Sequence, residues 1–290
     1  MTIDIQRVTG GAGGEVLLIK GSEKTAVYDA GMAYCAERLV DNIREALQGK
    51  SLDYVLLSHT HYDHLGGIPY LRQEWPDLKV FGAAYGKQVL ERPGALKRIR
   101  DLAENAAKRY MGPDAPAPEY NDEDLRIDKV VGNGDVISLG DRTIRVYETK
   151  GHTNCSLTYF IEEDSILFAS ESTGVYEGNG KMHPSILTSY QEVVDSIEIS
   201  RAINAKHIYS PHYLLIEDSA VAGYWDLCRS AADEYKDITL SLHKKGLSIE
   251  EIIEAQRKRW RTSYTKEEQP SLAFDINARA GVTAIIEELA

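Results

Sequence analysis

One stretch constrains this chain more than any other. In LLSHTHYDHLGG, residues 56–67, an apolar run ends abruptly in three histidines and an aspartate within six positions. The apolar residues of 53–58 read as a buried strand. A strand sends His59 and His61 to one side, and a tight turn carries Asp63 and His64 round to face them. Gly66-Gly67 then lets the backbone turn sharply into the next helix. Only eight histidines occur in 290 residues, and buried imidazoles must find partners, so three of them here point to a purpose. Neutral imidazoles with a carboxylate are the donor set that zinc, iron or manganese prefers. Two ligand pairs this close suggest two ions sharing one site.

The surrounding pattern alternates strands and helices. Residues 15–20 and 25–30 read as a hairpin around Gly21-Ser22. The spacing of Leu39, Val40, Ile43 and Leu47 predicts a helix over 35–48, and a short helix over 66–75 precedes a strand at 79–82. From 83 to 128 the pattern changes to a basic helix bearing Lys97, Arg98, Arg100, Lys108 and Arg109, then an acidic, proline-bearing loop. This segment reads as a helical insertion covering one edge of the core, its cations forming a solvated face in preference to a phosphate-attracting one. Strands resume at 135–139, 143–149, 156–162, 166–170 and 206–210. A helix over 189–204 opens with the capping box Ser189-x-x-Glu192, and Ser248-x-x-Glu251 repeats the device downstream. No strong strand signal follows residue 216. The expected organisation is an α/β core domain over 1–215, with its insertion at about 83–128, and a C-terminal helical extension over 216–290 packed on that core.

Charge and cysteine usage exclude several classes. The net charge of −12 disfavours generic nucleic-acid binding, which relies on clustered Lys and Arg against phosphate. No apolar run approaches the roughly 20 residues of a membrane span, and the N-terminus lacks the features of a signal peptide. Cys35, Cys155 and Cys228 are few and far apart, which fits a reducing compartment and argues against disulfides or a thiolate zinc site. The expected location is cytoplasmic.

His59-Thr60-His61-Tyr62-Asp63-His64 matches the HxHxDH signature of the metallo-β-lactamase fold superfamily, and further motifs follow in that family's order. TAVYDAG (25–31) resembles its early Asp-x-Gly element, KGHTNCS (150–156) its second histidine motif, LFASES (167–172) the place of its bridging acid, and IYSPHY (208–213) its final histidine motif. The resemblance spans roughly residues 1–215. It implies a four-layer αββα metallo-β-lactamase sandwich. It also implies that His59, His61 and His152 hold a first divalent transition-metal ion, and Asp63, His64 and His212 a second. Zinc is the first expectation, with iron or manganese as alternatives. The usual bridging ligand is an Asp after Gly; here the aligned pair is Ser170-Glu171. Glu171, one methylene longer, is assigned as a ligand, with bridging and single-ion binding both open. Asp29 is expected to orient a ligand histidine or the Thr60 region from behind.

A metal-bound hydroxide attacking an ester-like bond is the chemistry such a centre implies, with Asp63 as the catalytic residue that orients it and passes a proton to the leaving group. Tyr176, His183 and Tyr213 are candidate substrate contacts, while His207 and His243 read as ordinary capping or core residues. The arrangement looks similar to glyoxalase II-type thioesterases, acyl-homoserine lactonases and the bacterial quinolone-signal response thioesterase. The expected function is a dinuclear hydrolase of a thioester or related ester. A lactonase, or a regulatory protein that retains the metal centre, are the alternatives. A small-molecule substrate is expected, an anionic one included, without nucleic acid or membrane as partner; a homodimer is left open. His61 stands where redox diiron proteins of this fold carry Glu, which argues against that class. The insertion and the C-terminal helices are expected to form a wall of the pocket.

Overall fold

A computed structural model describes residues 5–212 and 215–290; Tyr213, one of the expected substrate contacts, lies outside them. The chain divides into two compact units, Met1–Tyr147 with Ile161–Asp164, and Glu148–Phe160 with Ser165–Ala290.

The first unit is built on a six-stranded sheet in the order β1 (Ile5–Arg7), β2 (Leu17–Lys20), β3 (Thr25–Tyr28), β4 (Tyr54–Leu56), β5 (Lys79–Gly82) and β6 (Lys129–Val130). The expected hairpin is β2–β3, paired antiparallel from Leu17↔Tyr28 to Lys20↔Thr25. From β3 onward the pairing is parallel, with Val27 beside Val55 and Val55 beside Val80. Parallel neighbours need crossovers, and helices supply them. Helix α1 (Ala36–Leu47) buries Leu39, Val40, Ile43 and Leu47, the side chains that predicted it. The one-turn α2 (Tyr62–Leu65) and then α3 (Ile68–Glu74) connect β4 to β5.

Gly66 and Gly67 do not serve as a flexible turn. Gly66 has ordinary helical dihedrals, φ −60° and ψ −28°. The requirement is space: a Cβ on Gly67 would lie 2.2 Å from the Ala30 carbonyl oxygen, and one on Gly66 2.5 Å from the Ala33 nitrogen. Bare backbone lets the histidine-bearing segment press against the loop that carries Asp29.

The insertion forms α4 (Ala84–Leu90) and α5 (Pro93–Met111). Lys97 pairs with Asp101 at 2.6 Å, Lys108 with Glu104 at 2.5 Å, and Arg100 with Asp122. Local carboxylates meet these cations, as a solvated face requires. A hairpin of β7 (Val136–Ser138) and β8 (Thr143–Glu148) completes the unit.

In the second unit, β9 (Leu157–Ile161) precedes β10 (Ile166–Phe168), and an unexpected hairpin follows, β11 (Val175–Gly178) with β12 (Lys181–His183). Its turn, Gly178-Asn179-Gly180, takes positive φ at all three residues (84°, 51° and 72°), and the Asn-Gly pair is the turn signal the sequence carries for it. Helix α6 (Tyr190–Ala202) leads to β13 (His207–Tyr209), which pairs parallel with β10. Four helices follow: α7 (Asp218–Lys244), α8 (Ile249–Trp260), α9 (Ser263–Glu268) and α10 (Ser271–Leu289). Helices α7, α8 and α10 share one apolar core with the strands, in which Leu167 and Ile208 pack with Tyr224, Ile252, Val282 and Ile285. Among the described residues no helix is long and apolar enough to cross a membrane.

The two caps differ. Ser248 forms the full reciprocal box with Glu251. Ser189 accepts from the Glu192 amide at 3.1 Å, but the returning carboxylate belongs to Glu288 of α10. It accepts from the amides of Tyr190 (2.8 Å) and Gln191 (3.0 Å) and from the Ser189 hydroxyl (3.2 Å). A distant carboxylate thus satisfies the amides left open at the start of α6 and complements its dipole.

Candidate metal centre

Each unit carries its own set of donors. In the first, β3 runs directly into Asp29, which is buried and takes φ 58°. That left-handed backbone is disfavoured for a non-glycine residue and persists only where the surroundings over-determine it. Here they do: Asp29 Oδ1 accepts from the Ser58 amide at 2.7 Å, and Oδ2 from the Ser58 hydroxyl and from His64 Nδ1, both at 2.8 Å. Because the single hydroxyl proton of Ser58 goes to Asp29, its Oγ accepts from His59 Nδ1 at 3.0 Å. Both imidazoles are thereby fixed with the proton on Nδ1 and the lone pair on Nε2.

Those lone pairs face other electron-rich atoms. His59 Nε2 lies 3.0 Å from His61 Nδ1, and His64 Nε2 lies 3.7 Å from Asp63 Oδ2. The rings of His59 and His64 are 4.1 Å apart. His59 and His64 are buried; His61, at the start of α2, and Asp63, in its first turn, are half-buried.

The second unit repeats the device. His152 is fully buried in the loop before β9, and its amide donates to the Ser172 hydroxyl oxygen at 3.0 Å. Its Nδ1 donates to the Ser185 carbonyl (3.1 Å) and faces the Ser185 hydroxyl (2.8 Å). The lone pair therefore sits on Nε2, 3.2 Å from Glu171 Oε2. Glu171 opens the 3-10 turn Glu171–Thr173, is only 7% exposed, and sends Oε1 to His212 Nε2 at 2.7 Å. His212 takes φ 67°, a second left-handed backbone at a donor.

This chemistry fits a divalent cation. Imidazole nitrogens whose protons are committed to Asp29, Ser58 or Ser185, turned onto carboxylates and one another, are neutral nitrogen and anionic oxygen donors ready for a metal. Ser58 and Ser185 carry no periodic or motif signal of their own; Ser58 was legible only as the residue before His59.

Of the expected substrate contacts, Tyr176 lies on β11, and its hydroxyl accepts from the Gly180 amide at 3.1 Å. His183 ends β12, with ring contacts to Trp260 (6.4 Å) and Phe274 (6.2 Å). Its Nδ1 is buried without a hydrogen-bond partner. Burial pushes its pKa down to about 4, reinforced by Arg261 and His212 and opposed by Glu171 and by a hydrogen bond to the Trp260 backbone.

A depressed histidine pKa has a defined consequence for stability. The unfolded chain takes up the proton near the ordinary 6.5 and the folded protein only near 4, so this contribution is complete above pH 6.5 and is lost as pH falls through that window. Wild type should lose roughly 2–3 kcal/mol more than His183→Phe between pH 7 and pH 4.5. Urea unfolding at both pH values checks this; equal losses would refute it.

The chain resembles known proteins in the same terms. It is 28% identical over 171 residues to acyl-coenzyme A thioesterase MBLAC2 of Gallus gallus, covering 57% of this chain and 58% of that protein. It is 30% identical over 124 residues to hydroxyacylglutathione hydrolase of Bradyrhizobium sp. (strain ORS 278), covering 43% of this chain and 35% of that one. The chain thus spans little more than half the length of the first and about a third of the second. The solved structure of ST1585, an archaeal metallo-beta-lactamase superfamily protein from Sulfolobus tokodaii, superposes with a TM-score of 0.61 at 19% identity, covering 98% of both chains. That likeness shows the α/β sandwich fold with C-terminal helices. The metallo-beta-lactamase superfamily pattern itself matches residues 9–201, two thirds of the sequence, and the chain belongs to that superfamily.

Proposed function

We propose that this protein is a dinuclear metallohydrolase acting on a thioester or related ester of a small molecule. The observation that carries the reading is the pair of donor sets in which His59, His64 and His152 present Nε2 lone pairs while Ser58, Asp29 and Ser185 hold their Nδ1 protons. His59, His61 and His152 would hold one ion, and Asp63, His64, Glu171 and His212 the other. When bound, such cations acidify water and polarise the scissile carbonyl oxygen.

The protein's own residues do the rest. Asp63 accepts the proton of the attacking water as its oxygen bonds to the carbonyl carbon, and returns that proton to the sulfur as the carbon–sulfur bond breaks. Asp29 and Ser58 hold His64 and His59 in their tautomers throughout. Thioester is favoured over other esters because a relative of similar sequence is named as an acyl-coenzyme A thioesterase. A thiol also leaves readily near neutral pH, its pKa being about 8.5.

Zinc-loaded protein assayed on matched thioester, lactone and phosphodiester panels tests this. Thioester turnover is expected to exceed the other two by at least about tenfold in kcat/KM, the equivalent of ~1.4 kcal/mol. Faster lactone hydrolysis would transfer the assignment to a lactonase, and metal binding without turnover on any panel would favour a regulatory role.

A further inference from the structure

The structure assigns to Ser185 a role that no motif announced: we propose that it is the positioning residue that lets a glutamate serve as metal ligand where the family usually carries an aspartate. This rests on the reading of the centre given above, but concerns one contact within the second unit.

Ser185 Oγ lies 2.8 Å from His152 Nδ1 and 3.2 Å from Glu171 Oε2. A hydroxyl has one proton and two lone pairs. Because Nδ1 of His152 is a donor, Oγ accepts there and gives its own proton to Glu171. The first unit uses the same relay, in which Ser58 accepts from His59 and donates to Asp29. In the second unit the acid at the end of the relay is itself a ligand candidate.

The extra methylene of Glu171 adds a rotatable bond, and an unconstrained carboxylate would swing about it. Ser185 removes that freedom. With Oε2 held by the Ser185 hydroxyl, Oε1 is directed to His212 Nε2 at 2.7 Å, so the carboxylate spans the two histidines of this unit. The carbonyl of the same residue fixes the tautomer of His152. Ser185 is 9% exposed, which keeps water from competing for the contact.

Zinc titration of metal-stripped protein against a chromophoric chelator reads this without substrate. Ser185→Ala should weaken the weaker zinc site about 10–100-fold, the usual effect of removing a hydrogen-bond partner of a ligand. Ser185→Thr, which keeps the hydroxyl, should titrate like wild type. The decisive comparison is a double-mutant cycle: in a Glu171→Asp background the shorter arm no longer reaches Ser185, so Ser185→Ala should change affinity by less than about threefold. Wild-type affinity in Ser185→Ala, or an equal loss in both backgrounds, overturns the proposal. Should Ser185→Ala fail to fold, Ser185→Cys, a weaker donor of similar size, should show an intermediate loss, and a wild-type titration would overturn the proposal as well. Wild type that takes up no zinc removes the metallohydrolase reading and this one with it. Two zinc sites of the same affinities in wild type and Ser185→Ala remove this one alone.

Discussion

Asp63→Asn is expected to reduce turnover by roughly 10²–10⁴-fold, the range for removing a proton-transfer group, with little change in fold. Asp63 sits in the first turn of α2, half-buried, 3.7 Å from His64 Nε2. Asn keeps its shape, so α2 and the Asp29–Ser58–His64 hydrogen bonds remain. What disappears is the charge that accepts a proton from water, together with one anionic donor of the second ion. His61→Ala should also abolish turnover, through ligand loss alone, since it removes a donor 3.0 Å from His59 Nε2, and its zinc content should fall together with its rate. Circular dichroism, zinc content and steady-state rates on one thioester separate the two variants. Wild-type turnover in either folded variant would refute its assigned role.

Glu171→Ala is expected to lower zinc content from about two ions per chain to about one, by removing one ion's share of donors. Glu171 is the only carboxylate among the expected donors of the second unit, buried, with its oxygens at 3.2 Å from His152 and 2.7 Å from His212. Its removal takes one of the two carboxylates from the set of Asp63, His64, Glu171 and His212 that would balance a dication, which is costly where solvent is excluded. The set of His59, His61 and His152 keeps all its nitrogens and should titrate with smaller change. Glu171→Asp should retain both ions and alter turnover. A titration of the alanine variant with two wild-type affinities would remove Glu171 from the ligand set.

What could be read from the chain alone follows the range of the interactions. Helix α1 was legible because Leu39, Val40, Ile43 and Leu47 repeat at helical spacing, and β4 because its apolar run is short and ends in polar residues. The donors at 59–64 were legible because they crowd into six positions, and the family resemblance drawn from them is borne out by the match over residues 9–201. Ser185 was not legible: its partners lie 33 and 14 residues away in sequence, and a serine supplies no periodicity. The returning half of the α6 cap was sought at Glu192 and came from Glu288, because side-chain capping is decided by tertiary proximity as much as by local spacing. Gly66 and Gly67 were recognised as necessary, but for a conformational freedom they do not use. Their hydrogens make room for Ala30 and Ala33, a contact that exists only once the strands have assembled.

The Glu288 cap also imposes an order on biosynthesis. Tyr190 and the carboxylate that receives its amide are 98 residues apart. At about 5–20 residues per second, a ribosome needs roughly 5–20 s to cover that interval. Meanwhile the donors at His59, His61, Asp63 and His64 have long left the exit tunnel, whereas the helix beside the His152 loop still lacks its anion. That loop depends on the helix: Ser196 donates to the Lys150 carbonyl at 2.6 Å. The donors at 59–64 are therefore synthesised well before the residue that completes the cap of α6.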